Sequence, residues 1–450
     1  MENIIYKFTG DPFVDAGIWA ICGWVGKTKP EELDKEDLKK ITGDIVQLYL
    51  TEKWAKSLFS IFPNNPITNP SVKDKKTRYS NYLNGLIGYI NKMPAEATGN
   101  CISCGHRDVK EIRTKTDIPL IGSGTMINFF PSGQSGGDYC PACTFAVQFS
   151  PLVLYRCGKL LLVHSNSDKI MRYWSKKAIK DVRRQTLMKG YTGCFNEYFT
   201  NPINALFNII ESMIREYDEN WLNENPSINL YHFTNYNQGP DIDTYHVPTP
   251  IFMFLAYVKQ HERYDDWKKI VKKGYKKVDW DKVKEEDEYK NKTNLVYNNL
   301  LKNKSIIGYF LNRKNREIIG DWNLFIFYLK EVKKMDPKRL ETLKRVGDEL
   351  SEYIKSTDNT KRLSDLERVK NYGSFRNILR KIIKDRINNA DKPMFSLEEY
   401  VEYLFPDGYL SWRETQDLLL FRIYEDLHDW LKNKELPENE VEEEISDDKN

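Results

Sequence analysis

The chain has 450 residues, 40% hydrophobic and 30% charged, with a formal net charge of +3. That length accommodates roughly two to four domains with sizeable cores. It excludes a membrane-embedded protein, because the longest apolar run, IFMFLAYV at 251–258, is core-sized. The charge is also uneven: residues 434–450 hold eight acids and two lysines, a local −6 that leaves +9 on residues 1–433 and suits an acidic partner such as nucleic acid.

The opening MENIIYKFTGD has no apolar signal segment, which predicts a cytoplasmic chain. Asp11-Pro12 reads as an N-cap and first helical position, and FVDAGIWAIC continues as an apolar helix that Gly23 stops. Residues 31–60 and 78–93 repeat the helical character around the loop PNNPITNP, giving a mostly helical part over 1–95. A Gly- and Ser-rich stretch at 96–150 carries four cysteines. PLVLYRCGKLLLVHS then reads as two short strands joined at Cys157-Gly158, and helices resume from 168 to 221. The segment YHFTNYNQGPDIDTYHVPTP at 231–250 reads as a polar loop, and a lysine-dense stretch at 268–284 closes an α/β part over 151–334. Residues 335–433 read as helices throughout, and 434–450 as an acidic disordered tail. The expected fold class is α+β: a mixed N-terminal body with an embedded four-cysteine zinc ribbon, followed by a C-terminal helical bundle.

Cys101 and Cys104 in NCISCGH, with Cys140 and Cys143 in DYCPACT, make two CxxC knuckles whose four thiolates match a tetrahedral zinc site. Gly105 and Pro141 suit the tight turns, and the 35 residues between the pairs leave room for a hairpin or a loop that the metal pins. Disulfides need an oxidising compartment and fit poorly with seven cysteines. A thioredoxin-type reading of CPAC leaves the first pair unexplained. The expected cofactor is a structural Zn2+, since four sulfurs leave no position for a reactive water. Cys22, Cys157 and Cys194 read as buried thiols.

Catalytic lookalikes fail on spacing. GWVGKT ends like a phosphate-binding loop but has Ile21 where the first glycine belongs, and His261-Glu262 begins like a zinc-protease helix but meets Asp265. Six scattered histidines do not assemble a metal-dependent centre, so the chain is expected not to be an enzyme.

FTGDPFVDAGI at 8–18, the two CxxC pairs and the later YHFTN…QGP segment together resemble the CXXC-CXXC family of large subunits in type I-B CRISPR interference (Cascade) complexes. The likeness spans about the first 250 residues. It implies a non-catalytic subunit near the 5′ end of the guide, which recognises the motif flanking the target in duplex DNA, aids strand separation and recruits a helicase-nuclease for antiviral defence. The implied partners are CRISPR RNA with its backbone and guide-end-binding subunits, target double-stranded DNA and that helicase-nuclease, and no membrane. Two other readings stand beside it: a zinc-ribbon nucleic-acid-processing enzyme, and a protein-only scaffold subunit.

Reading a minor groove needs amides on a slender element. Asn235, Asn237 and Gln238 beside Gly239 qualify, as does Gln134 among Gly133, Gly136 and Gly137; ordinary Asn/Gly-rich turns are the plain alternative. Lys272, Lys273 and Lys276, within a cluster that also holds Lys268, Lys269 and Lys277, are candidate phosphate contacts. In SFRNILRKIIKDRI, an apolar stripe of Phe375, Ile378, Leu379, Ile382 and Ile383 leaves Arg376, Arg380 and Lys384 in line, where the alternative is a solvated helix face. Within families that resemble this one, a small helical subunit can be translated from inside the large-subunit gene. Met335 opens the helical module here, and a second product would run from Met335 to Asn450. Asp336-Pro337 reads equally well as a plain capped helix start.

Overall fold

The computed structural model describes residues 6–90, 92, 99–106, 109, 111–122, 135–194, 199–216, 225–236, 239–260, 263–276, 278–388 and 392–434. The acidic tail beyond Lys434 lies outside them. The chain folds as two compact units, Met1–Thr249 and Pro250–Asn450. It is α+β, as the sequence predicts, with small antiparallel sheets and a helical C-terminal region.

In the first unit α1 (Pro12–Val25) is the central helix, buried from Phe13 to Cys22. The Asp11 carboxylate starts it by accepting the N–H groups of Phe13 and Val14 at 3.0 and 3.2 Å. It does not stop at Gly23. The helix runs on to a left-handed Gly26 (φ +85°), and Gly23 instead admits the later helix that carries Ser175, since a Cβ there would lie 2.5 Å from Ser175 Oγ. Around α1 lie α2 (Lys35–Tyr49), α3 (Glu52–Phe59) and α4 (Lys75–Tyr89), with a capping box of Asp34 and Asp37 opening α2.

The cysteine-bearing segment contributes β1 (Ile112–Arg113), paired with β2 (Gly137–Asp138), and α5 (Pro141–Val147). The main sheet has the order β3-β4-β5-β6 and is antiparallel throughout: β3 (Tyr155–Cys157), β4 (Lys159–Ser165), β5 (Ile228–Tyr236) and β6 (Gly239–Val247). Gly158, at φ +72°, makes the predicted turn between β3 and β4. α6 (Asp168–Met188) and α7 (Pro202–Glu216) fill the interval before β5.

The stretch read as a polar loop is the long β5–β6 hairpin. Its register pairs Ile228 with Val247 and Tyr236 with Gly239. β6 is the outer strand, and its Gly239–Thr244 residues are exposed, so its polar composition follows from its position.

The second unit holds α8 (Thr249–Gln260), α9 (Tyr264–Lys273), α10 (Leu295–Leu301), a short hairpin of β7 (Leu311–Asn312) and β8 (Glu317–Ile318), and α11 (Trp322–Phe327). Then follow α12 (Pro337–Ser356), α13 (Thr360–Arg368), α14 (Tyr372–Asn388), α15 (Leu397–Glu399), α16 (Trp412–Asp426) and α17 (His428–Lys432). Asp336 caps α12 through the N–H groups of Lys338 and Arg339. The helices after Met335 share one core with what precedes them. Phe325 stacks on Phe421 at 4.0 Å, Arg313 pairs with Asp417, and Arg316 grips the buried Glu367 from two nitrogens at 2.9 and 3.1 Å, with Tyr424 donating to the same carboxylate. Among the described residues, no helix is long and apolar enough to cross a membrane.

Candidate metal centre and nucleic-acid surfaces

Cys101 to Cys104 is a tight turn closed by the Gly105 N–H donating to the Cys101 carbonyl at 2.8 Å, and Gly105 takes φ +78°, which glycine adopts without strain. A second bond, from the Cys101 N–H to the His106 carbonyl at 2.7 Å, locks the turn, and the Ile102 N–H ties it to the Asp138 carbonyl at 2.8 Å. The second knuckle is the start of α5: Cys140 is its N-cap, Pro141 its first residue, and the Cys143 N–H donates to Cys140 Sγ at 3.4 Å.

These two turns bring all four sulfurs within 4.8 Å of one another, with Cys104 and Cys140 3.7 Å apart. A tetrahedron with metal–sulfur bonds of about 2.3 Å has edges of about 3.8 Å, so the cluster fits one metal ion. Disulfide sulfurs lie about 2.05 Å apart, and all seven cysteines are free. Without a cation the thiols compete for charge. Hydrogen bonds from Cys104, Cys140 and Cys143 hold Cys101 far below an ordinary thiol, and the neighbouring Cys101 pushes Cys140 and Cys143 far above it. A divalent cation bound by all four removes that competition and leaves no ligand position for water.

The opening motif folds against this cluster. Tyr139, next to Cys140, donates its hydroxyl to Asp11 at 2.6 Å, and Tyr6 donates to the Ala142 carbonyl at 2.9 Å. Burial pushes the Asp11 carboxyl up, against the hydrogen bonds from Tyr139, Val14 and Phe13 that favour its charged form. Gly17 lets α1 approach α5 so closely that a Cβ would sit 1.9 Å from the Ala146 carbonyl oxygen. An open cleft of about 780 Å³ lies beside the knuckle, between the Thr9–Phe13 turn, Ile102, Ser103, Leu120 and Tyr139.

With both knuckles and their setting in place, the comparison with known families returns a match: residues 95–155 fit the family described as CRISPR-associated protein (Cas_CXXC_CXXC). The matched segment is similar to that CRISPR-associated CXXC-CXXC family. It spans both cysteine pairs, the β1–β2 pairing, α5 and the first residue of β3. Comparisons with curated proteins and with solved structures give no match.

The nucleic-acid candidates separate. Asn235 is fully buried and does not face solvent, contrary to expectation. Its side-chain N–H groups donate to the carbonyls of Ile61 and Lys115 at 2.8 and 3.2 Å, its Oδ1 accepts the Leu120 N–H at 3.2 Å, and its own N–H reaches the Ser60 carbonyl at 2.9 Å. It clamps the hairpin, the end of α3 and the CXXC-CXXC segment together. Asn237, Gln238 and Gln134 lie outside the described residues.

Lys272 is exposed but rests over the Trp280 ring at 4.3 Å, half-buried Lys273 donates to the Leu311 carbonyl at 2.6 Å, and Lys276 is exposed. Lys268 and Lys269 pair with Asp265 and Asp266 of the same helix, so this segment presents less free positive charge than its composition suggests. On α14, Arg376, Arg380 and Lys384 do form an exposed line, above a side that buries Phe375, Ile378, Leu379 and Ile382. Lys381 is exposed beside them.

Sequence reasoning missed a buried acid–histidine pair. Asp15 Oδ2 lies 2.9 Å from His164 Nε2, and the Phe8 ring stacks on the imidazole at 5.6 Å. The same carboxylate accepts the N–H groups of Thr9 and Gly10 at 2.9 and 3.0 Å, so it holds the opening turn. The partners are 149 residues apart, and no local spacing announces them.

Proposed function

We propose that the chain is the large, non-catalytic subunit of a type I-B RNA-guided CRISPR interference complex, which recognises the flanking motif beside a DNA target and recruits a helicase-nuclease. The observation that carries the reading is the match of residues 95–155 to a CRISPR-associated family, with a closed four-sulfur cluster inside the matched segment. A closed cluster suits a structural Zn2+ that stiffens a recognition body. The partners of this reading are the CRISPR RNA with its backbone and guide-end-binding subunits, target duplex DNA and the helicase-nuclease, in the cytoplasm.

The β5–β6 hairpin supplies the recognition element. Asn235 roots it, which leaves Asn237 and Gln238, between the paired Tyr236 and Gly239, as the base-reading amides. Lys159 lies across the sheet against Asp241 and Asp243 and offsets their charge beside the DNA. The row Arg376, Arg380 and Lys384 tracks a phosphate backbone independently of sequence.

The test is reconstitution with guide RNA, backbone proteins and duplex targets that carry correct or scrambled flanks. Asn237→Ala with Gln238→Ala should leave assembly intact and remove flank discrimination, at about 1–3 kcal/mol per lost base contact. Neutralising the α14 row should lower affinity for both flanks equally and flatten the salt dependence. A chain that neither joins the guide-loaded complex nor changes its flank preference overturns the reading.

A further inference from the structure

α6 carries a regular positive face that the reading above does not use. Its apolar side, including Ile170, Met171, Trp174, Ile179 and Val182, is buried. Trp174 Nε1 donates to the Val153 carbonyl at 2.9 Å, and Ser175 Oγ to the Trp19 carbonyl at 2.5 Å, so the helix is firmly mounted. The opposite side exposes Lys169, Arg172, Lys176, Lys180, Arg183 and Arg184. Steps of three or four residues put a positive charge on each turn of one face. From Lys169 to Arg183 the line is about 21 Å long, close to six base steps of one nucleic-acid strand. Only two acids interrupt the helix. Asp168 stands at its N-terminus, where the helix dipole favours it, and Asp181 is held by Arg184 and Gln185. Arg172, Lys176 and Lys180 form no ion pair among the described residues.

The end of the same helix supplies a second, independent observation. Leu187 and Met188 are 84% and 75% exposed. They do not sit on a frayed terminus. Lys189 is left-handed at φ +52°, the Gly190 N–H returns to the Gln185 carbonyl at 3.1 Å, and the buried Gln185 side chain accepts the Thr192 N–H and donates to the Gly193 carbonyl at 3.1 and 3.2 Å. A braced turn therefore holds two large apolar side chains out in solvent, at the end of the positive line.

We propose that α6 is a nucleic-acid docking helix: Arg172, Lys176 and Lys180 take the phosphates of a duplex, and Leu187 and Met188 meet the bases exposed where that duplex opens. Periodic charge matches a periodic polyanion, and Leu and Met are residue types that wedge between base steps. An anionic membrane surface fits less well, because an interfacial helix needs a continuous apolar face beside its charges, and that face of α6 is buried inside the unit. The inference goes beyond the assembly reading, and it is tested on the free full-length chain.

The experiment is fluorescence anisotropy with a forked DNA, the matching blunt duplex, and phosphatidylserine vesicles, over a salt series. Arg172→Gln/Lys176→Gln/Lys180→Gln should weaken binding to both DNAs at least tenfold and reduce the log–log salt slope by about 2.7, from about 0.9 per phosphate contact. Leu187→Ser/Met188→Ser should leave duplex affinity unchanged and abolish the preference for the fork. All substituted residues are exposed, and circular dichroism verifies that the variants fold. Wild-type affinity and slope in the triple variant, a fork preference that survives the double variant, or stripe-dependent binding to vesicles without binding to DNA each overturn the proposal. Loss of fork binding in variants that still assemble with guide RNA separates this helix from the complex-level reading.

Discussion

Asn235 offers the sharpest separation of a structural role from a base-reading one. Asn235→Ala deletes three side-chain hydrogen bonds and leaves the Ile61 and Lys115 carbonyls and the Leu120 N–H without that partner. A buried hydrogen bond contributes about 1 kcal/mol net, and each orphaned group costs about 1–3 kcal/mol more when water cannot reach it. With partial relaxation the variant should lose about 2–4 kcal/mol, which lowers the melting temperature of a unit this size by about 5–15 °C. Asn235→Asp should be worse at neutral pH. It keeps an acceptor for Leu120 but points a carboxylate at two carbonyls. Its pKa in the folded state would then rise above the unfolded value, so the lost stability returns as pH falls below that raised value. Urea and thermal unfolding of the full chain across a pH series measure both effects. A stable Asn235→Ala variant that has lost flank discrimination would refute the reasoning and return Asn235 to the recognition surface.

For the metal, purified protein should hold about one equivalent per chain. Cys101→Ser/Cys140→Ser should lose it with loosening of the surrounding fold; the double variant is the cleaner test because the exposed His106 follows Cys104 by only two residues and offers an imidazole in the same loop, and stoichiometric metal persisting in it would sink the assignment. Arg316→Met strands the carboxylate of Glu367, whose side chain is fully buried, and should cost about 3–5 kcal/mol by chemical denaturation, while Arg316→Met/Glu367→Leu should recover most of it. A product starting at Met335 would lack Arg313, Arg316 and Phe325, so it should unfold readily in isolation and persist only where a partner covers Asp417, Glu367 and Phe421. Mass spectrometry of the assembled complex detects it, and a monomeric Met335–Asn450 fragment as stable as the full chain contradicts the shared core.

What could be read from the sequence was what short spacing encodes. The Asp11-Pro12 and Asp336-Pro337 helix starts, the Cys157-Gly158 turn and the metal cluster each rest on residues within a few positions, or on a motif that repeats. Gly23 misled because glycine serves close packing as well as termination, and the contact that explains it is with Ser175. The β5–β6 hairpin was hidden because Asn, Gly and Pro mark loops more often than outer strands, and no local signal gives β6 its partner. Asn235 and Asp15 were misjudged or missed for one reason: their partners come from Ile61, Lys115 and His164, far away in the chain.

Gly17 shows how far that distance reaches. Any side chain there would have to push α5 by about 1.5 Å to bring a 1.9 Å approach to an ordinary contact. Cys143 rides on the same short helix, three residues before Ala146. A metal–sulfur bond tolerates errors of about 0.2 Å. The accuracy of the tetrahedron is therefore set partly by a missing methyl group on a helix that contributes no ligand, and a screen of the cysteines alone would overlook the residue that keeps them in tune.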